Sequence, residues 1–144
     1  MTPTAHFVLA SLAMVLLTFC VALRLLYVRS AEMREKRVHP QAAATSIQMA
    51  LKLQNVQAAD NFKNLFETPV LFYSLVGVAI ATNQLSAWLI YGVWSYVLLR
   101  IIHSVIHCTY NKVMQRFAAF GAGFMLLIVM WAYLAFAVVS KSVA

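Results

Sequence analysis

Charge is what this chain has least of. Only 10% of its 144 residues are charged, four acidic and eleven basic, against 63% apolar residues and a mean hydropathy of +0.80. A soluble domain carries about 25% charged residues, because it needs them to cover its surface. Here that cover is missing, so the apolar surface must meet lipid. With no soluble domain to present a basic face, the net charge of +7 does not point to nucleic acid. The two cysteines, Cys20 and Cys108, lie in or at the end of apolar segments without Cys-x-x-Cys spacing. That suits packing better than a disulfide or a metal pair. There is no nucleophile elbow, phosphate-binding glycine loop or His-Glu-x-x-His motif. No basic stretch precedes the first apolar run, which is too long for a cleavable leader. Nor is there an internal repeat of the kind that builds transporters from duplicated halves.

What is present is a set of long apolar segments. About 20 apolar residues cross the hydrocarbon core as a helix, and spans are expected at about 5–28, 65–82, 87–106 and 117–139. The expected fold is all-α, a four-helix transmembrane bundle forming one domain over 1–144. Arg24 falls inside the first span, where its flexible stem lets it snorkel to the interface. Residues 29–44 read as a polar connection broken at Pro40. Residues 45–64 read as an amphipathic helix, with Ile47, Met49, Leu51, Leu53 and Val56 on its apolar side, running on into the second span. Trp88, Tyr91, Trp94 and Tyr96 mark an aromatic belt at the start of the third span. Gly121-Ala122-Gly123 would allow close helix contact in the fourth.

All four acids and seven of the eleven bases lie between Arg24 and Lys63 or Glu67, and Arg100, Lys112 and Arg116 cluster near the third connection. Basic connections sit on the cytoplasmic side. Residues 29–44 and 109–116 therefore face the cytoplasm and both termini face out, as for a bacterial inner-membrane protein.

Polar residues at the mouth of a membrane helix are costly unless they face protein, water or a ligand. Such residues fill the stretch Asp60 to Pro69. In a helix Asp60, Asn64 and Glu67 stand at i, i+4, i+7 and share one stripe, with Lys63 beside it. Arg100, His103 and His107 stand at i, i+3, i+7 and form a second stripe, with Tyr110 a turn further and Arg116 opening the fourth span. Two stripes facing one crevice would supply a carboxylate, an amide, an arginine and two imidazoles. The simpler reading is a Glu67–Arg100 pair that only neutralises itself, but the stripes hold more polar groups than one pair needs. His103 and His107 with Glu67 have the spacing of a metal set, yet an adjacent arginine would repel the ion, and no metal is expected. His39 reads as a solvated loop residue.

Lys63-Asn64-x-x-Glu67 with Pro69 and Phe72, followed by Arg100-x-x-His103-x-x-x-His107, resembles the MAPEG superfamily, the membrane-associated proteins in eicosanoid and glutathione metabolism. The wording from Asp60 to Tyr73 is similar to a bacterial branch of it. The resemblance covers nearly the whole chain. It implies a homotrimer with glutathione bound between subunits near the cytoplasmic side. Asn64 and Glu67 would hold the peptide and its γ-glutamyl amine, and Lys63, Arg100, His103 and His107 would complete the ligand-binding set. Arg116 matches the arginine that the family places near the thiol, where it would stabilise the thiolate. Lipophilic electrophiles would enter from the bilayer and be conjugated or reduced. The chain departs from the family pattern at Asp60 and Lys63, where arginines are usual, and at His107, where tyrosine is common. It departs again at Phe117 and Phe120, where catalytic members carry hydroxyls. The other readings are a MAPEG-fold membrane protein that binds a lipid or thiol ligand, or a partner, without catalysis, and a small transporter or structural membrane protein.

Overall fold

A computed structural model describes residues 1–143, apart from the side chains of Ser46, Ala50, Ser142 and Val143; Ala144, the last residue of the expected domain, lies outside the described residues. The helices in chain order are α1 (Pro3–Glu35), α2 (Ser46–Lys52), α3 (Gln57–Asn64), α4 (Thr68–Ala81), α5 (Ala87–Cys108) and α6 (Val113–Val143), with a 3₁₀ turn at Pro40–Ala43. Four helical stretches are long and apolar enough to cross a membrane: α1, α3 with α4, α5 and α6. The chain is an integral, multi-pass membrane protein.

Local chemistry sets the helix ends. Pro3 opens α1, where its missing N–H costs nothing, and the Thr2 hydroxyl accepts from the Ala5 amide at 3.3 Å. Thr45 and Gln48 form a reciprocal capping box on α2, and the Ser86 hydroxyl accepts from the Leu89 amide on α5. α1 ends in a Schellman turn, with the Val38 amide donating to Met33 and the Arg37 amide to Arg34. Its left-handed position is Arg37, at φ 51°. Elsewhere that conformation falls on Asn83 and Asn111, which tolerate it. For a residue such as arginine it costs about 1–2 kcal/mol.

At 33 residues α1 is far longer than its apolar run, and its end stands clear as an overhang. There Glu32 is buried, and its carboxylate accepts from the Gln54 and Asn55 amides at 2.6 and 3.0 Å and pairs with Lys36 at 2.7 Å. This grip corrects the expectation of one helix over 45–64. Drawing two backbone amides onto Glu32 leaves 53–56 outside any helix and separates α2 from α3. A second break, at Leu65–Glu67, interrupts the helix where it was expected to run on. Pro69 has no amide for the Leu65 carbonyl and its ring crowds that group, so α3 stops at Asn64 and α4 begins at Thr68.

The core lies between the four spans. Phe7, Met14, Phe72, Leu75, Leu89, Tyr96, Leu127 and Met130 are buried in it, and Phe72 stacks on Tyr96 with centroids 4.7 Å apart. Arg24 does more than snorkel: its guanidinium donates to the Cys108 carbonyl and caps α5 from α1. Both cysteines are free thiols, Cys108 buried and Cys20 exposed. Leu16, Phe19, Leu23 and Leu26 of α1 are exposed, as an apolar face turned to lipid should be.

The small residues divide unevenly. Gly123 packs on Leu99 and Tyr96 of α5, whereas Gly121 meets nothing within 4 Å, so only one of the expected pair serves the helix contact. The tightest approach is at Gly92, where an added Cβ would stand 2.5 Å from Met130 Sδ. Gly92→Ala is therefore expected to cost about 1–2 kcal/mol through overpacking. Gly77→Ala, with open space around it, should be neutral or gain a few tenths of a kcal/mol from helix propensity. Thermal unfolding in detergent measures both, and equal stability of the two variants would refute the close α5–α6 contact.

Candidate functional site

The crevice lies where the α3–α4 break meets the ends of α5 and α6. It is a cavity of about 230 Å³ lined by Asn64, Glu67, His103, Val113, Arg116, Phe117 and Phe120. Glu67 owes its place to the break. It occupies the N-cap position of α4 but makes no capping hydrogen bond, so its carboxylate is left for the crevice.

Arg100 holds the break from behind. It is 1% exposed, donates to the Asn64 carbonyl at 2.7 Å, and lies over the Phe120 ring at 5.7 Å. That carbonyl is one of those left unpaired where α3 ends, and a charged donor suits it. Arg100 is therefore not the salt-bridge partner of Glu67. Among the described residues the one pair within ion-pair distance is Glu32–Lys36. Neither charge of the crevice, Glu67 or Arg116, has an ion-pair partner within that distance among the described residues, although Arg100 lies within electrostatic reach of Glu67.

Arg116 is half-buried, and its guanidinium donates to Asn111 Oδ1 at 2.8 Å. Asn111 adopts its left-handed conformation in the short α5–α6 connection, so the turn orients the arginine. The main chain of Arg116 is used as well. His103 Nδ1 lies 3.1 Å from the Arg116 carbonyl, and since a carbonyl only accepts, Nδ1 carries the proton. In the neutral ring Nε2 is then a bare lone pair, buried and without a hydrogen-bond partner. His107 packs edge-on against His103 at 5.5 Å, with its own Nδ1 unpartnered.

The structure thus brings Asn64, Glu67, His103 and Arg116 to one crevice and buries Arg100 and His107 next to it. Lys63 goes elsewhere. It lines a separate cavity of about 120 Å³ with Arg29, Asn55 and Asp60. The expected stripe of Asp60, Asn64 and Glu67 is divided: Asp60 and Asn64 share α3 but line different cavities, and Glu67 lies beyond the break that follows Asn64. No group of three or more His, Cys, Asp or Glu side chains with metal-holding geometry occurs among the described residues.

Two contributors were missed by the sequence reading. Asn111 sits in a connection read only for its charge. Asn61 is fully buried, with its amide 3.3 Å from Cys108 Sγ and its oxygen accepting from Ser104 at 3.4 Å, which ties α3 to α5. A hint was available for the second, since an asparagine flanking an apolar span needs a partner.

Chemically the crevice offers one carboxylate, one guanidinium, an amide and an imidazole beside an aromatic wall, with Val113 and Phe117 exposed at its rim. These features define a multi-pass helical membrane protein with a polar crevice at one end of its bundle. A family model described as the MAPEG family matches residues 7–136, and the chain belongs to that family. Neither a curated protein nor a solved structure gives a match.

Proposed function

We propose that the crevice binds glutathione or a closely similar thiol peptide, and that the protein conjugates or reduces lipophilic electrophiles reaching it from the bilayer. The observation that carries this reading is the convergence of Glu67 and Arg116, neither in an ion pair, on one cavity. Glutathione has one ammonium and two carboxylates, so its site needs an acid and a cation together. Family membership supports the same ligand class.

At about 230 Å³ the cavity is smaller than the roughly 300–1,000 Å³ of ordinary ligand pockets. That suits half of a site completed by a neighbouring copy, in line with the homotrimer with ligand between subunits that the family resemblance implies. The basic connections support a crevice at the cytoplasmic side with both termini outside, and the likeness of the Asp60–Tyr73 stretch to a bacterial branch supports a bacterial inner membrane. In this reading Asn64 and Glu67 grip the peptide, Arg116 stabilises the thiolate, and Arg100, His103 and His107 hold the surrounding walls. Lys63, which lines a separate cavity, takes no part in it.

A second reading is favoured by Phe117 and Phe120. They line the crevice beside Arg116 with no hydroxyl to share in activating a thiol, and they suit a lipid or thiol ligand, or a partner, bound without catalysis. Purified protein in detergent separates the two. A thermal shift on adding glutathione with conjugation of a generic electrophile is the expected result. A shift without turnover would establish the second reading, and neither shift nor turnover would exclude the thiol site.

A further inference from the structure

We propose a second binding site, on the overhang of α1, that takes the phosphate group of an anionic phospholipid headgroup. It is a cavity of about 430 Å³ lined by Ser30, Met33, Arg34, Arg37, Val38, His39 and Pro40. It shares no residue with the crevice and does not depend on the thiol reading.

The lining has the chemistry of a phosphodiester with an apolar backbone behind it. Arg34 and Arg37 bring guanidiniums that have no ion-pair partner, since the pair within reach of this overhang joins Glu32 to Lys36. Glu32 is withdrawn from the cavity by that pair and by two backbone amides, and Glu35 does not line it. The field inside is therefore that of unneutralised cations. His39 Nδ1 accepts from the Gln41 amide at 3.3 Å, which leaves the other ring nitrogen protonated and able to donate even in the neutral ring. Ser30 adds a hydroxyl, and Met33, Val38 and Pro40 make an apolar floor. The position also fits: the cavity begins two residues beyond the apolar run 5–28, at the level of lipid headgroups. Basic pockets there attract anionic lipids.

Arg37 adds an independent observation. Among the described residues the left-handed conformation outside glycine falls on Arg37, Asn83 and Asn111, and at a helix end glycine or asparagine suits it best. An arginine kept at such a position in spite of its backbone penalty points to a task for its side chain, and the side chain lines this cavity.

The test compares full-length wild type with Arg37→Gly and with the double variant Arg34→Gln/Arg37→Gly. Lipid retained after purification in neutral detergent is read by native mass spectrometry against added phosphatidylglycerol and phosphatidylcholine. Wild type should prefer phosphatidylglycerol, and each arginine lost should reduce that preference about fivefold. Arg37→Gly should unfold no earlier than wild type in neutral detergent, because glycine relieves the turn; a lost lipid preference is then not a folding defect. A wild type with no preference, or a double variant that keeps it, would overturn the site. Stabilisation by inorganic phosphate without retention of phosphatidylglycerol would overturn the lipid assignment and give the cavity to a soluble phosphate compound.

Discussion

Arg116→Gln is expected to lower glutathione conjugation at pH 7 by about 8- to 25-fold, with most of the rate recovered above about pH 9. Only a thiolate attacks an electrophile, and a free thiol of pKa ≈ 8.5 is a few per cent ionised at neutral pH. A guanidinium close to the sulfur lowers the thiol pKa by roughly 1–2 units, which raises the ionised fraction at pH 7 from about 3% to about 25–75%, the factor expected in the rate. Glutamine keeps much of the length and the hydrogen bonding but not the charge. The sign follows: with the arginine gone, the rate must climb with pH along the thiol's ordinary titration. A loss of the same size at every pH would mean that Arg116 positions the ligand and leaves its ionisation alone. The hydrogen bond to Asn111 makes Asn111→Ala a milder form of the same lesion, because it frees the guanidinium without removing it.

Glu67→Gln is expected to weaken glutathione binding about 10- to 100-fold, the range for losing a charge-assisted hydrogen bond of about 1.5–3 kcal/mol. The apo protein should be almost untouched. Glu67 is exposed, caps no helix through its side chain and has no ion-pair partner, and substitutions away from such features stay within about 0.5 kcal/mol. Calorimetry of binding, with size and thermal unfolding measured alongside, separates the two effects. A smaller assembly or a fall in apo stability would show that the residue holds copies together and is no ligand grip.

The two substitutions differ from one at Arg100 in kind. Arg100 meets the site through the Asn64 carbonyl and the Phe120 ring, and its charge reaches Glu67. Changing it would alter the α3–α4 break itself, and with it the position of Glu67. Its role is that of a positioning residue, and a family signature read along the chain does not distinguish it from His103, which lines the crevice.

Much of the architecture was legible in residue order. Long apolar runs announce membrane helices because lipid leaves the backbone no other way to satisfy its hydrogen bonds. The polar residues of α5 were legible through spacing. Arg100, His103 and His107 repeat at helical intervals within one uninterrupted helix, and all three are buried on its inner side. The same logic failed on the Asp60–Glu67 stretch because it assumes that the helix continues.

What residue order by itself determined is the number of spans, their approximate bounds and the types of side chain available near one end of the bundle. These depend on local hydrophobicity and local periodicity. The tertiary structure decided which of those side chains meet. Glu32 draws the Gln54 and Asn55 amides out of helical pairing across 22 and 23 residues of chain. Arg100 satisfies the carbonyl of Asn64 across 36. Arg24 reaches the Cys108 carbonyl across 84. Each is a charged group buried or turned inward and paired with backbone that a regular helix would have satisfied. Such partners are distant in the chain, so which cavity Asp60, Lys63, Asn64 and Glu67 each line is decided only once the bundle is assembled.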